Sequence, residues 1–264
     1  MSIKKKILIA TLILLIIVTS IGVAYYFYEI ITWKNSTEEN NQIKEEIENN
    51  ITINTYESEE ETQEETQEET QEEKVVKYDI DFKKLKKKNK DTIGFLKVNN
   101  TNIEYVFVKG KDNNYYLNHN FDKKPNIAGW IFADYHNKFD GTDKNIVIYG
   151  HNVKDLSMFG SLKNILSKDW YNNKDNQKIV VVTENGTYYY QVFSVYSIKP
   201  ENYYINTEFK NNDEFYKFLR RIKSRSVYKS DVGISGEDKI LTLSSCTNGG
   251  NKRIVLHAKL IESE

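Results

Sequence analysis

The longest hydrophobic pattern in the chain is a run of 22 residues without a formal charge, residues 7–28. At 1.5 Å rise per residue, a helix of this length matches the roughly 30 Å hydrocarbon core of a bilayer. Lys4, Lys5 and Lys6 precede the run, and positive charge marks the cytoplasmic side of a membrane span. The pattern predicts a single-pass signal-anchor, with residues 1–6 in the cytoplasm, 7–28 in the cell membrane and the rest on the extracellular side.

A cleaved secretory signal is the alternative for the same segment, since residues 22–24 (Gly-Val-Ala) form a passable small-residue cleavage site. The hydrophobic core of a signal peptide is only about 7–15 residues long, and this run is longer. The length of the run therefore favours a retained anchor.

The segment that follows is acidic and poor in apolar side chains. Residues 35–73 contain fifteen Glu and one Lys, with a tetrapeptide repeat within 61–72. Such a composition cannot bury a hydrophobic core, and like charges keep the chain extended. We therefore expect residues 29–77 to form a disordered extracellular stalk in front of a folded domain at 78–264.

Within that domain, short runs of β-branched and aromatic residues alternate with Asn, Asp and Gly, a pattern typical of strands joined by turns. These runs are residues 103–108, 129–133, 145–150, 178–183, 187–196, 239–245 and 253–261. The break at Glu184-Asn185-Gly186 predicts a hairpin turn, because Asn-Gly tolerates the positive φ angles that such turns need. The pattern predicts a mainly β fold, either a barrel or a sandwich.

Three helices are predicted around the strands. Residues 81–90 form a short basic helix, Asp155 can cap a second helix, and Asn212 or Asp213 can cap a third. The apolar faces are Phe82 and Leu85 in the first helix, Phe159, Leu162 and Leu166 in the second, and Phe215, Phe218, Leu219 and Ile222 in the third.

Charge and cysteine content narrow the function classes. The net charge of -1 conceals a formal charge of +10 on residues 74–264, because the acidic residues concentrate in the stalk. The single cysteine, Cys246, excludes an intramolecular disulfide and a multi-cysteine zinc site. No His, Cys and carboxylate cluster has the spacing of metal ligands, so we expect no metal and no organic cofactor. We also expect no nucleic-acid partner.

Cys246 ends the strand-like run 239–246, in which alternation places Thr242, Ser244 and Cys246 on one face. If this strand pairs with 253–261 as a hairpin closed by residues 247–252, Cys246 lies opposite Arg253, with Cβ atoms about 4.5–5.5 Å apart. A fixed positive charge beside a thiol favours the reactive thiolate. The alternatives are an inert buried cysteine and a surface arginine.

Of the four histidines, only His151 ends a strongly apolar strand next to a glycine. Strand ends are where sites are commonly built, so His151 is the favoured partner of the thiol. His119 and His136 lie in polar loops and are interpreted as surface residues. His257 shares a face with Arg253 by alternation and is a weaker candidate for the base.

Four segments resemble the sortases, and the class B sortases most closely. They are residues 146–152 (IVIYGHN), 158–162 (MFGSL), 242–247 (TLSSCT) and 252–255 (KRIV). Residues 111–119 (KDNNYYLNH) and the helix near 213–228 add to the resemblance, which spans about 80–260; residue 247 is Thr where some class B sortases have an acidic residue. The resemblance implies a closed β-barrel with short peripheral helices, preceded by a transmembrane helix.

By this resemblance, Cys246 is the nucleophile, His151 the general acid and base, and Arg253 the group that orients substrate and stabilises the oxyanion. The positions assigned to the peptide groove are Ser244, Tyr149, Asn113, Leu117, Tyr204 and Ile205. The implied substrates are surface proteins with a C-terminal sorting signal, cleaved after Thr through a thioester. The implied acceptor is an amino group of peptidoglycan, of its lipid-linked precursor, or of a pilin lysine.

Two other classes remain open at this point. L,D-transpeptidases and papain-like wall hydrolases also pair Cys with His outside the membrane, but the former have their histidine shortly before a Ser-His-Gly-Cys-like segment, and the latter have the cysteine first, on a helix. Here His151 precedes Cys246 by 95 residues. A non-enzymatic anchored β-domain that binds wall polymer through its positive charge is the third reading, and failure of a thiol-reactive probe to label Cys246 would favour it.

Overall fold

The computed structural model describes residues 2–57, 74–246 and 252–264, and the side chains of all of these except 55–57, 74, 75 and 246. The acidic repeat within 61–72 and most of the loop predicted at 247–252 lie outside the described residues. The strands are β1 (Ile51–Glu57), β2 (Lys74–Ile80), β3 (Thr92–Val98), β4 (Glu104–Val108), β5 (Phe132–Ala133), β6 (Asn145–His151), β7 (Lys178–Thr183), β8 (Gly186–Ile198), β9 (Ile240–Cys246) and β10 (Arg253–Ser263).

Strands β3 to β10 form a closed barrel in the order β10-β8-β7-β3-β4-β5-β6-β9. Most neighbours are antiparallel, whereas β4 pairs in parallel with β5, and β6 pairs in parallel with β9. The predicted mainly β fold is confirmed, and closure distinguishes the barrel from a sandwich. The hairpin between β7 and β8 turns where the sequence predicts it, with Thr183 paired to Gly186.

Strand β3 is absent from the sequence-based prediction, because Gly94 interrupts its apolar pattern. A Cβ atom at Gly94 would lie 2.5 Å from the carbonyl oxygen of Val182 and 2.7 Å from the ring of Phe107. Only glycine lets the neighbouring backbone and this aromatic ring approach so closely. The glycine that suggests a break in the sequence is therefore a packing requirement inside the sheet.

Helix α1 spans Ile3–Glu48. Its N-terminal part is long and apolar enough to cross a membrane, and none of that stretch is buried within the protein. Its C-terminal turns pack against the barrel through Thr37, Asn40, Ile43 and Ile47, all buried.

The expectation of a disordered stalk therefore differs from the structure in the described part of residues 29–77. Spacings of three and four residues place the buried side chains on one helix face, which the acidic background conceals in the sequence. Strand β1 then pairs with β2 in an antiparallel ladder from Ile51↔Ile80 to Glu57↔Lys74.

The other helices are α2 (Phe82–Lys88), α3 (Lys168–Asn172) and α4 (Asn212–Ser224). Asn211 caps α4, since its side chain accepts a hydrogen bond from the Glu214 amide. The helix predicted after Asp155 does not form there. Asp155 instead accepts from the amide and hydroxyl of Ser157, which closes a tight turn, and only a 3-10 helix follows at Gly160–Leu166.

Helix α4 covers a second apolar cluster on the outside of β8 and β10. Phe215, Leu219 and Ile222 of α4 are fully buried there, together with Tyr204 from the 3-10 turn Tyr203–Ile205. This packing fixes the turn against the ends of β9 and β10. The consequence for the site is that Tyr204 is held on a rigid support and not on a free loop.

Candidate active site

The site forms where β6 and β9 end side by side. The parallel ladder pairs Tyr149 with Ser244 and His151 with Cys246. Neighbouring strands lie about 4.8 Å apart, so the pairing brings the backbones of His151 and Cys246 next to each other. Two residues that lie 95 positions apart in the sequence thus meet at one edge of the barrel.

His151 is almost fully buried, and its Nε2 lies 2.7 Å from the carbonyl oxygen of Leu117. A carbonyl oxygen only accepts hydrogen bonds, so Nε2 carries the hydrogen. This bond fixes the orientation of the ring and the tautomer. Nδ1 is consequently the ring nitrogen at which a proton can be taken up or released.

Strand β10 brings Arg253 to the same edge. The antiparallel ladder with β9 ends at Val255↔Ser244, and the Ile254 amide donates to the Ser245 hydroxyl at 2.8 Å beyond it. The same register continued by two residues puts Arg253 level with Cys246. On its other side Arg253 pairs with Ile198 of β8.

Tyr204 connects Arg253 to β9. Its hydroxyl lies 3.0 Å from the Ser244 hydroxyl and accepts a hydrogen bond from Arg253 Nη1 at 3.4 Å. Tyr204 and Ser244 are fully buried, whereas Arg253 and Ile205 are half-buried. Tyr204 and Ser244, both assigned to the peptide groove from the sequence, thus contact each other, and Tyr204 also contacts the guanidinium.

A carboxylate that the sequence analysis missed organises the other side of the site. Asp134 Oδ2 accepts hydrogen bonds from Asn113 Nδ2 and from the Tyr149 hydroxyl, each at 2.8 Å. Asn113 Oδ1 in turn accepts from the Tyr135 amide. The structure therefore brings Asn113 and Tyr149 together through Asp134. The sequence signal was a lone acidic residue directly after the apolar run 129–133.

The remaining histidines have other surroundings. His257 lies in the core, where its Nδ1 is 2.8 Å from the Thr242 hydroxyl and its Nε2 is 2.8 Å from the Tyr196 hydroxyl. Burial lowers the pKa of His257 from 6.5 to about 3, so the ring is neutral at physiological pH. An imidazole sealed in the core cannot exchange protons with a substrate, which removes His257 as a candidate base.

His136 is exposed and bonds through Nδ1 to Asp134, and His119 bonds to the carbonyl oxygen of Tyr115. Within the described part of the chain, no three His, Cys, Asp or Glu side chains converge to hold a metal ion.

Comparison with known proteins identifies the family of the chain. The Sortase domain family matches residues 96–261. Sortase B of Listeria monocytogenes is 40% identical over 184 residues, which cover 69% of this chain and 74% of that protein. The chain therefore belongs to the sortase family and is a sortase-type cysteine transpeptidase.

Comparison with solved structures shows which class of sortase the chain resembles. Sortase B from Bacillus anthracis in complex with AAEK1 superposes with a TM-score of 0.70 at 33% identity, over 86% of this chain and 98% of that chain. A sortase B complexed with triglycine superposes with a TM-score of 0.65 at 36% identity, over 69% of this chain and 85% of that one. Among the sortases, the chain is of class B, as its sequence motifs predict.

Proposed function

We propose that the protein is anchored in the cell membrane by α1 and cleaves a C-terminal sorting motif of surface proteins after Thr. The acyl group passes through a thioester on Cys246 to an amino group of peptidoglycan or of its lipid-linked precursor. The pairing of His151 with Cys246 at the ends of β6 and β9 carries this proposal. It supplies a nucleophile and a proton carrier at one point of a rigid sheet.

In the first half-reaction, the Cys246 thiolate attacks the carbonyl carbon of the Thr residue in the sorting motif. The carbonyl oxygen becomes an oxyanion, which the Arg253 guanidinium stabilises. The C–N bond then breaks, and the imidazolium of His151 transfers its Nδ1 proton to the departing amine. A thioester and a neutral imidazole result.

In the second half-reaction, an acceptor amine attacks the thioester carbonyl and gives its proton to Nδ1 of His151. The C–S bond breaks, the Cys246 thiolate is released, and a new amide joins the surface protein to the acceptor. The relative solved with triglycine supports the amino terminus of a short glycine peptide as an acceptor to test.

The groove residues have distinct proposed roles. Asn113 and Tyr149, held by Asp134, form one side of the peptide site, and the turn with Tyr204 and Ile205 forms the other. Leu117 contributes an apolar side chain while its carbonyl holds His151. Ser244 anchors the Tyr204 hydroxyl below the scissile bond.

The orientation in the membrane follows from the charges that flank the apolar stretch of α1. Lys4, Lys5 and Lys6 keep the N-terminus in the cytoplasm, which leaves the barrel on the extracellular side. Surface proteins with sorting signals and the wall amines are found on that side.

The test is to incubate the full-length protein, in detergent, with LPxTG-like and NPxTN-like peptides and with triglycine, and to identify products by mass spectrometry. The proposal predicts a peptide cut after Thr and joined to glycine, and an acyl-enzyme adduct on Cys246 when triglycine is omitted. Cys246→Ala is the matched control. Absence of Cys246-dependent cleavage with every peptide would overturn the proposal.

A further inference from the structure

Helix α1 does more than enter the membrane, because its C-terminal turns contact the segment that supports the catalytic histidine. Asn40 is fully buried, and its Nδ2 donates a hydrogen bond of 2.8 Å to the carbonyl oxygen of Gly129. One turn earlier in α1, the carbonyl oxygen of Ser36 accepts a hydrogen bond from Asn126 at 3.0 Å. Both contacts hold residues 126–130, which lie between α1 and the site.

The Gly129 carbonyl and the Trp130 amide belong to one peptide group. The oxygen of this peptide group accepts the hydrogen bond from Asn40, and the N–H of the same group, that of Trp130, donates to the carbonyl oxygen of Tyr116 at 2.9 Å. The next carbonyl along the chain, that of Leu117, accepts from His151 Nε2 at 2.7 Å. The Tyr116 and Leu117 carbonyls belong to adjacent rigid peptide groups that meet at the Leu117 Cα, so the position of the Gly129–Trp130 peptide group bears on the carbonyl that holds the imidazole.

The packing at Gly129 makes this connection stiff. Gly129 has a φ of +59°, and a Cβ atom there would lie 2.4 Å from the carbonyl oxygen of Tyr116 and 2.8 Å from that of Leu117. The two backbone segments are thus in direct contact, without a flexible side chain between them. A shift of the Gly129 carbonyl displaces the Leu117 carbonyl as well.

A buried asparagine is energetically unfavourable on this face of α1 if the face serves only to pack against the barrel. Its neighbours on that face, Ile43 and Ile47, stabilise the contact by apolar burial alone. Burying an amide costs free energy unless its groups are hydrogen-bonded, and among the described residues Asn40 Oδ1 makes no hydrogen bond. The single bond to Gly129 therefore accounts for the polar group at this position.

We propose that Asn40 is a positioning residue for His151, acting through the Gly129–Trp130 peptide group and the Leu117 carbonyl. This role rests on the proposed function, since it concerns the orientation of the proton carrier. Because the link ends at the Leu117 carbonyl and not at the Leu117 side chain, we expect it to affect the rate of proton transfer more than substrate binding.

The experiment compares three variants of the full-length protein in detergent. Asn40→Ala removes the bond to Gly129, and Asn41→Ala changes the exposed neighbour on the same helix. Ile43→Ala weakens docking by removing apolar burial but keeps the Asn40 amide that bonds to Gly129. For each we would measure hydrogen exchange at the Trp130 amide, the melting temperature, and kcat and KM for the sorting peptide cleaved fastest by the wild type, well below every melting temperature.

For Asn40→Ala we expect exchange at the Trp130 amide to accelerate about 10-fold and kcat to fall about 10-fold, with KM changed less than about twofold. Ile43→Ala should lose as much thermal stability yet keep its kcat, and Asn41→Ala should resemble the wild type. Unchanged exchange at Trp130, or an equal loss of kcat in Ile43→Ala, would overturn the assignment. A wild type that cleaves no peptide would refute the proposed function, whereas the exchange data would still support or overturn the coupling of Asn40 to Trp130.

Discussion

His151 Nε2 and the Leu117 carbonyl oxygen share a hydrogen bond of 2.7 Å that determines which of the two ring nitrogens carries the hydrogen. With Nε2 bound to the carbonyl, proton transfer has to use Nδ1. Under the proposed mechanism, the bond lets a loop remote in sequence, at residues 115–119, affect catalysis without contributing a reacting side chain.

We therefore expect His151→Ala to lower kcat/KM by at least about 10²-fold, because general acid–base catalysis contributes about 10² to 10⁴. His119→Ala and His136→Ala are the matched controls and should retain most of the activity. Steady-state kinetics with a fluorogenic sorting peptide provides the measurement. Comparable losses in His151→Ala and either control would mean that another group carries the proton.

Cys246→Ala should abolish cleavage and acyl-enzyme formation while leaving the barrel folded. The backbone of Cys246 ends a strand that β6 and β10 flank, so the ladder does not depend on the thiol. Mass spectrometry would test for the loss of the acyl adduct, and circular dichroism would test whether the barrel remains folded. Residual turnover well above background would exclude Cys246 as the sole nucleophile.

Arg253→Ala should lower turnover by at least about 10²-fold, as loss of one oxyanion donor does, and Arg253→Lys should recover only part of it because an ammonium lacks the planar fork. Tyr204→Phe removes the hydroxyl that accepts from Arg253 Nη1, and we expect a smaller loss from it. Alkylation of Cys246 by iodoacetamide should continue in all three variants. Near-normal turnover in Arg253→Ala would contradict the role given to the guanidinium.

His257 makes the stability of the barrel sensitive to acid. Its pKa is about 3 in the folded protein and 6.5 in the unfolded chain, so the unfolded chain binds the extra proton first as the pH falls. Stability contributed by the neutral ring is complete above about pH 6.5 and is lost toward pH 3, by up to about 1.4 kcal/mol per pH unit.

Thermal unfolding between pH 7 and pH 4 measures this effect. His257→Gln should be less stable at pH 7, because the bonds to Thr242 and Tyr196 are disturbed, but its melting temperature should depend less steeply on pH. Equal slopes for the variant and the wild type would falsify the assignment of this titration to His257.

The docking face of α1 predicts where the chain can be shortened. A protein that begins at Lys34 keeps the buried side chains of Ile43 and Ile47, each worth about 1.5–3 kcal/mol of apolar burial, whereas one that begins at Lys74 loses them together with β1. We expect the longer protein to melt several degrees higher, as measured by differential scanning calorimetry. Identical melting temperatures would show that the docked turns contribute nothing to stability.

The sequence predicts the barrel strands well where apolar runs are long and uninterrupted, as at β7 and β8. Prediction from the sequence fails where a tertiary contact determines the local structure. Gly94 looks like a break because its close neighbours, Val182 and Phe107, come from other strands. The docked end of α1 looks like a solvated stalk because its buried residues are sparse and its partner surface lies 90 residues away.

The candidate site also combines residues that the sequence pattern identifies with residues that only the fold identifies. Motif order identified Cys246, His151 and Arg253 as candidates, and their roles remain predictions for the experiments above. Asp134 and Asn40 could not be predicted, because their meaning depends on which backbone and side-chain groups the fold places beside them. A lone carboxylate or amide carries no such information in the sequence.

We expect the parallel pairing of β6 with β9 to be a late step in folding. Thr242 and Asn145 are hydrogen-bonded although 97 positions separate them, so this pairing closes one of the longest loops in the domain. Contacts of such high sequence separation form slowly, because the chain loses loop entropy before they stabilise it. A chain in which β6 and β9 have not yet paired therefore keeps Cys246 and His151 apart, and the proposed site is complete only after the barrel closes.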